Sequence, residues 1–206
     1  MDKDYIIEKI VVGPVFTNCY LFACAITKAC AVIDPGADSD LIKKRVVDLK
    51  LKPECVIITH GHFDHIGAVA DFKLPVYAGV QDAECFSNTR KSLSFLIGED
   101  RIFDKPDRLL KEKDVISVGN CVLEVIEVPG HTAGSICLLG KDILFSGDAL
   151  FADSIGRTDF PGGNHNLLVK MIKEKLFCLD DSIKVYPGHG ANTTIGKEKR
   201  SNPFIE

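Results

Sequence analysis

The segment Thr59-His60-Gly61-His62-Phe63-Asp64-His65 holds three of the chain's six histidines, with an aspartate among them. It follows directly on Cys55–Ile58, a wholly apolar run that reads as a buried strand, so its polar side chains are delivered at a strand end. In an extended loop, His60 and His62 stand two residues apart and can turn both imidazoles onto one ion. Asp64 and His65 come at the turn into the next helix and can face a second position. Neutral imidazole and carboxylate are donors favoured by zinc, iron and manganese. Gly61 and Gly67 leave the backbone room at a crowded place, and Thr59 is placed to orient the loop by hydrogen bonding.

The same pattern recurs three times further on: an apolar strand, a turn of Pro/Gly or Ser/Gly, then one side chain of ligand type. His131 follows Val128-Pro129-Gly130, Asp148 follows Ile143–Phe145 and Ser146-Gly147, and His189 follows Val185-Tyr186-Pro187-Gly188. One such residue alone would read as a cap or a surface group. Added to positions 60–65 they make five histidines and two aspartates on successive loops. That set suits two metal ions with a shared carboxylate and exceeds the ligands of one tetrahedral structural site. His165 falls outside the pattern and reads as a helix-start residue. Arg157 and Asp159 are spaced to pair and order the 153–163 loop, with contact to a substrate anion as the alternative role for Arg157. Tyr186 is equally a core and a catalytic candidate.

The chain has 206 residues, 46% apolar and 26% charged, with a net charge of -4. This is enough for one core, and the expectation is a single domain over 1–206. An acidic balance without a basic stripe speaks against nucleic acid as a partner, and the expected partner is a small-molecule substrate. Lys43-Lys44-Arg45 and Lys197-Glu198-Lys199-Arg200 read as solvated helix faces. No apolar run approaches the ~18 residues that span a bilayer, and Met1-Asp2-Lys3-Asp4 does not begin a signal peptide. The eight cysteines lie mostly in apolar runs without a Cys-x-x-Cys pair. They read as small buried hydrophobes in a reducing, cytoplasmic setting.

Strands are expected at Tyr5–Val12, Asn18–Ala25, Cys30–Ile33, Cys55–Ile58, Pro75–Tyr77, 115–118, 121–128, 135–139, 142–146 and 183–186. Helices are expected at Asp38–Leu49, His65–Phe72 and 165–178. Residues 81–105 show no firm period and are expected to combine a helix with an excursion that could cover the site. Strands interleaved with helices argue for sheets covered by helices.

On the His-x-His-x-Asp-His segment at 60–65, followed in order by His131, Asp148 and His189, the chain resembles the metallo-β-lactamase superfamily. The resemblance implies an α+β fold, an αββα sandwich of two β-sheets flanked by helices in four layers. It implies one metal on His60, His62 and His131, a second on Asp64, His65 and His189, and Asp148 bridging, with zinc first and iron or manganese as alternatives. β-Lactamases of this fold commonly carry cysteine where Asp148 stands, so the aspartate speaks for the other hydrolase branches. Gly156-Arg157-Thr158-Asp159-Phe160-Pro161-Gly162-Gly163 and Tyr186-Pro187-Gly188-His189-Gly190 are similar to short glyoxalase II-like hydrolases. Full-length glyoxalase II adds a glutathione-binding helical extension, whereas here 17 residues follow His189.

The expected activity is metal-dependent hydrolysis of ester or thioester bonds, thioester first, with Asp64 as transient proton acceptor. A persulfide dioxygenase-like oxygenase, with one iron on His60, His131 and Asp148, is the nearest alternative. A phosphodiester or RNA-processing hydrolase is a further one.

Overall fold

The computed structural model describes residues 4–98 and 101–205. Strand β1 (Tyr5–Val12) pairs antiparallel with β2 (Thr17–Cys24), from Tyr5 opposite Cys24 to Val12 opposite Thr17. Every residue of β2 is buried, because the strand is apolar on both faces. Cys19, Leu21 and Ala23 pack on one side of the sheet, Tyr20 and Phe22 on the other, as the two-residue period of a strand requires. β3 (Ala29–Ile33) continues antiparallel to β2. Helix α1 (Ser39–Asp48) then carries the chain over to β4 (Lys52–Ile58), which runs parallel to β3. Ile42 and Val46 are buried along that helix. β5 (Val76–Gly79) and β6 (Arg108–Leu110) extend the sheet in parallel.

The second sheet contains β7 (Val115–Val118), β8 (Cys121–Glu127), β9 (Ile136–Leu139), β10 (Ile143–Gly147), β13 (Lys184–Pro187) and β14 (Thr193–Thr194), in the order β14-β13-β10-β9-β8-β7. A small hairpin, β11 (Leu150–Phe151) with β12 (Ser154–Ile155), lies between β10 and the helix α3 (His165–Met171). Tyr20, Phe22, Ile33 and Ile57 of the first sheet meet Ile116, Leu123, Leu138 and Phe145 of the second in one core. Ile42, Val46, Ile66 and Val69 cover the outer face of the first sheet. On the second sheet, Leu168, Ile172, Leu176 and Ile195 play the same part. Helix α4 (Ile195–Ser201) supplies the last of these. The result is the expected αββα sandwich.

Direction explains where the loops gather. β10 and β13 are parallel, and β8 shares their direction because β9 is antiparallel to both β8 and β10. Their carboxyl ends therefore open at one edge, as do those of the parallel β3, β4 and β5. A bridge between Thr17 and His189 ties β2 to the loop after β13 there.

The expected strands are all present, with ends shifted by a few residues. Three expectations need correction. The helix over His65–Phe72 is instead a short turn, α2 (Phe63–Ile66), then a 3₁₀ turn at Val69–Asp71. Gly67 between them presses on the Gly36 carbonyl, which a Cβ would meet at 2.1 Å. Residues 81–105 hold 3₁₀ turns at Val80–Ser87 and Ser94–Ile97 in place of a helix; Glu99 and Asp100 of that stretch, and Met1–Lys3 of the amino-terminal reading, lie outside the described residues. The helix expected over 165–178 is α3 followed by a π-helical turn at Ile172–Leu176. β6, β11, β12 and β14 were not foreseen, because strands of two or three residues are too short for a period to show. Among the described residues, no helix is long and apolar enough to cross a membrane.

Candidate metal centre

At the open edge, three imidazoles converge. His60 Nε2 lies 3.1 Å from His62 Nδ1. His131 Nε2 lies 3.2 Å from His60 Nε2 and 3.0 Å from His62 Nδ1. All three side chains are buried. The Nδ1–H of His131 donates to the Arg157 carbonyl at 2.7 Å, which leaves its Nε2 a bare lone pair aimed at the other two rings. Lone pairs facing one another repel unless a proton or a cation stands between them. A tetrahedral ion with nitrogen donors at about 2.0–2.1 Å separates them by roughly 3.3 Å, close to the spacing here.

The second group adjoins the first. His189 Nε2 is 3.2 Å from Asp64 Oδ2, and His65 Nε2 is 3.5 Å from the same oxygen. Asp148 stands between the groups: its Oδ2 is 3.7 Å from His131 Nε2 and 3.6 Å from His189 Nε2, and its Oδ1 is 3.4 Å from His65 Nε2. Thus all seven residues singled out from the sequence meet at one place. Among the described residues, His62 Nε2, both ring nitrogens of His65 and Asp148 Oδ1 are buried without a hydrogen-bond partner. Orphaned buried polar atoms are costly and rare, and these belong to donors that metals accept. The residues present therefore fit divalent metal ions.

Electrostatics divides the groups. Burial, with repulsion from neighbouring rings, drives the His60 pKa far down and holds that of His62 at about 3. These imidazoles are neutral, as metal ligation requires. Around the second group burial is outweighed. It acts to lower the His65 pKa, yet Asp64, Asp34 and Asp148 raise it well above the ordinary value. Burial likewise lowers that of His189, and the bond to Asp64 reverses it. For Asp64 and Asp148 burial pushes upward, and His65 in particular pulls both below the usual carboxylate range. Without a metal, protons on His65 and His189 thus stand in the electrostatic place of a cation.

Several supports were not legible as such. Asp34 is buried and accepts from the Thr59 amide at 2.8 Å and the Thr59 hydroxyl at 2.6 Å, which fixes the loop before His60. Its Oδ2 also lies 3.0 Å from His65 Nδ1, off the line of a good hydrogen bond. Asp34-Pro35-Gly36 reads as a turn in the sequence: Asp34 also stands at a strand end, but before its Pro/Gly turn, whereas His131, Asp148 and His189 come after theirs. Thr17 Oγ1 donates to Asp64 Oδ2 at 2.9 Å. Tyr186 is partly buried and packs on Tyr20 and Phe145 against the core between the sheets. Arg157 pairs with Asp159 through two bonds of 2.8 and 2.6 Å, as its spacing led one to expect, and its guanidinium lies 3.8 Å over the Phe160 ring. His165 opens α3, where the side chain of Asn164 caps the helix.

Comparison with known proteins agrees with this geometry. Residues 12–189 match the model of the metallo-β-lactamase superfamily. Hydroxyacylglutathione hydrolase GloC of Haemophilus influenzae is 36% identical over 186 residues, covering 86% of this chain and 88% of that protein. The crystal structure of BLEG-1 B3 metallo-β-lactamase is similar with a TM-score of 0.91 and 36% identity, covering 97% of this chain and 99% of that one. The structure of ETHE1 from Myxococcus xanthus is similar with a TM-score of 0.82 and 32% identity, covering 97% and 84%. A match over residues 12–189, most of the length, makes this chain a member of the metallo-β-lactamase superfamily.

Proposed function

We propose that the protein is a hydrolase dependent on two divalent metal ions, zinc first, that cleaves a thioester of the hydroxyacylglutathione kind. In this reading His60, His62 and His131 hold one ion, Asp64, His65 and His189 the other, and Asp148 is shared. The observation that carries it is the three buried imidazole nitrogens 3.0–3.2 Å apart beside a second group built on carboxylates. Bound there, divalent ions supply Lewis acidity to a carbonyl oxygen and make water acidic enough to serve as a nucleophile near neutral pH.

The chain's own residues do the rest. Asp64 Oδ2 faces His189 and accepts from Thr17, and in this reading Asp64 takes a proton from the attacking water. Its depressed pKa makes that acceptance transient. The other carboxylate of the site, Asp148, is also held ionised, so neither is a standing acid for a leaving group. A thiolate, whose conjugate acid has a pKa of ~8.5, departs without such help, whereas an amine does not. Thioesters therefore rank ahead of other activated esters and lactones, and those ahead of amides. The 36% identity with hydroxyacylglutathione hydrolase GloC of Haemophilus influenzae supports placing thioesters first. Arg157, at the rim over Phe160, is proposed as an anion contact for the substrate.

A second reading, one iron on His60, His131 and Asp148 in a persulfide dioxygenase-like oxygenase, is favoured by the likeness to ETHE1. Elemental analysis of the purified protein, with assays on thioesters, lactones, a β-lactam, phosphodiesters and glutathione persulfide, separates the readings. About two ions per chain with thioester turnover is the expected result. One iron with oxygen uptake on the persulfide favours the second reading instead. His60→Ala and Asp148→Ala should each lower metal content and reduce kcat/KM by about two orders of magnitude or more; either variant with full metal and normal turnover sinks the assignment.

A further inference from the structure

We propose that Asp82 is a positioning residue that locks the loop carrying His60 and His62 to the loop carrying His131. The proposal rests on the reading that those three imidazoles hold one ion. Asp82 lies in the 3₁₀ segment Val80–Ser87, in the stretch whose period the sequence left undefined, and its side chain is buried. Its Oδ2 accepts from the Gly61 amide at 2.8 Å and from the Thr132 hydroxyl at 2.7 Å, and its Oδ1 accepts from the Gly134 amide at 2.7 Å. Gly61 is the residue between His60 and His62, and Thr132 follows His131. One carboxylate thereby spans two loops about 70 residues apart in the chain, each anchored next to its ligands.

The packing around it leaves no alternative seat. A Cβ on Gly134 would stand 2.3 Å from the Asp82 nitrogen and 2.7 Å from its Oδ1, and one on Gly61 would stand 2.3 Å from the Cys85 Cβ. Both glycines therefore let the 3₁₀ turn press directly on the ligand loops. The three donors also require an acceptor on both oxygens. An asparagine would set an N–H group against at least one of them, which costs about as much as an unsatisfied buried donor. The rings themselves have little other support. His131 has the Arg157 carbonyl, His60 a long 3.4 Å contact to Thr59, and His62 Nε2 has no partner among the described residues. Holding the backbone between and beside the rings is then the means by which their nitrogens stay about 3 Å apart.

The test is titration of metal-free wild type, Asp82→Asn, Thr132→Val and Thr132→Ser with Zn²⁺ against a chromophoric chelator, with a thermal melt of each metal-free form. Asp82→Asn should weaken Zn²⁺ binding about 10–100-fold, the range seen when supports behind metal ligands are removed. Thr132→Val should weaken it several-fold, and Thr132→Ser should restore it. Loss of Tm without loss of affinity in Asp82→Asn would show a purely structural residue and overturn the proposal. If Asp82→Asn fails to fold, the Thr132 pair decides, and wild-type affinity in Thr132→Val overturns it. Failure of the wild type to take up Zn²⁺ would instead defeat the metal-centre reading itself, so the two failures are distinct.

Discussion

At the residue scale, the site depends on atoms that have no slack. A Cβ on Gly188 would stand 2.1 Å from Asp148 Oδ1 and 2.8 Å from His65 Cε1. Gly188→Ala should displace the shared carboxylate, lowering metal content and cutting kcat/KM by roughly two orders of magnitude. Elemental analysis beside circular dichroism checks this, and a folded variant with full metal content would contradict it. Protonation acts on the same atoms. In the metal-free protein His62 is held at about 3 by burial and by His131, against its ordinary 6.5. Between those values the unfolded chain binds the proton that the folded chain refuses, so stability rises with pH across that window and is fully present above it. His60 adds in the same direction. His65, shifted upward, keeps its proton in both states over the window and adds no slope. The Tm of chelator-treated protein should therefore fall between pH 6 and pH 4; a level Tm would show that His62 is not held neutral.

At the scale of elements, each strand has one job in the core and one at its end. β4 buries Cys55, Val56, Ile57 and Ile58 and hands the chain to Thr59 and His60. This much was legible, because an apolar run ending in histidines shows in the sequence directly. The boundaries of α2 were not, since its helical pattern is broken by contact between Gly67 and Gly36, which are far apart in sequence. α3 begins where Asn164 Oδ1 accepts from the Leu167 amide at 3.0 Å. Asn164→Ala should cost about 1 kcal/mol through loss of that cap, a fall in Tm of roughly 2–4 °C, with Asn164→Asp close to wild type. Thermal melts of the two variants test this, and an unchanged Asn164→Ala would show that the cap carries no weight.

For the whole molecule, the two sheets and the metal centre should stand or fall together. Phe145 is 1% exposed between the sheets and packs on Tyr20, Phe22 and Tyr186. Phe145→Ala should cost about 3–5 kcal/mol, read as a lower urea midpoint; a midpoint within error of wild type would mean the core closes over the gap. A metal held by these residues would link loops from both sheets, so its removal should lower stability by about 2.7 kcal/mol relative to protein held at a free ion concentration one hundred times Kd. Melts with and without chelator measure this, and identical curves would count against a bound metal.

The sequence by itself determined the fold and marked out the candidate donors that the fold brings together. His60, His62, Asp64 and His65 are announced by their density just after an apolar strand, and His131, Asp148 and His189 each by an apolar strand ending in a turn, local signals that need no partner to be seen. Only the tertiary structure decided what holds those donors in place. Asp34, Asp82, Thr17 and the Arg157 carbonyl act through contacts across 21 to 52 residues. A buried carboxylate that accepts from a distant amide leaves no periodic trace in the chain that carries it, because its meaning lies in which loop the folded sheets bring opposite.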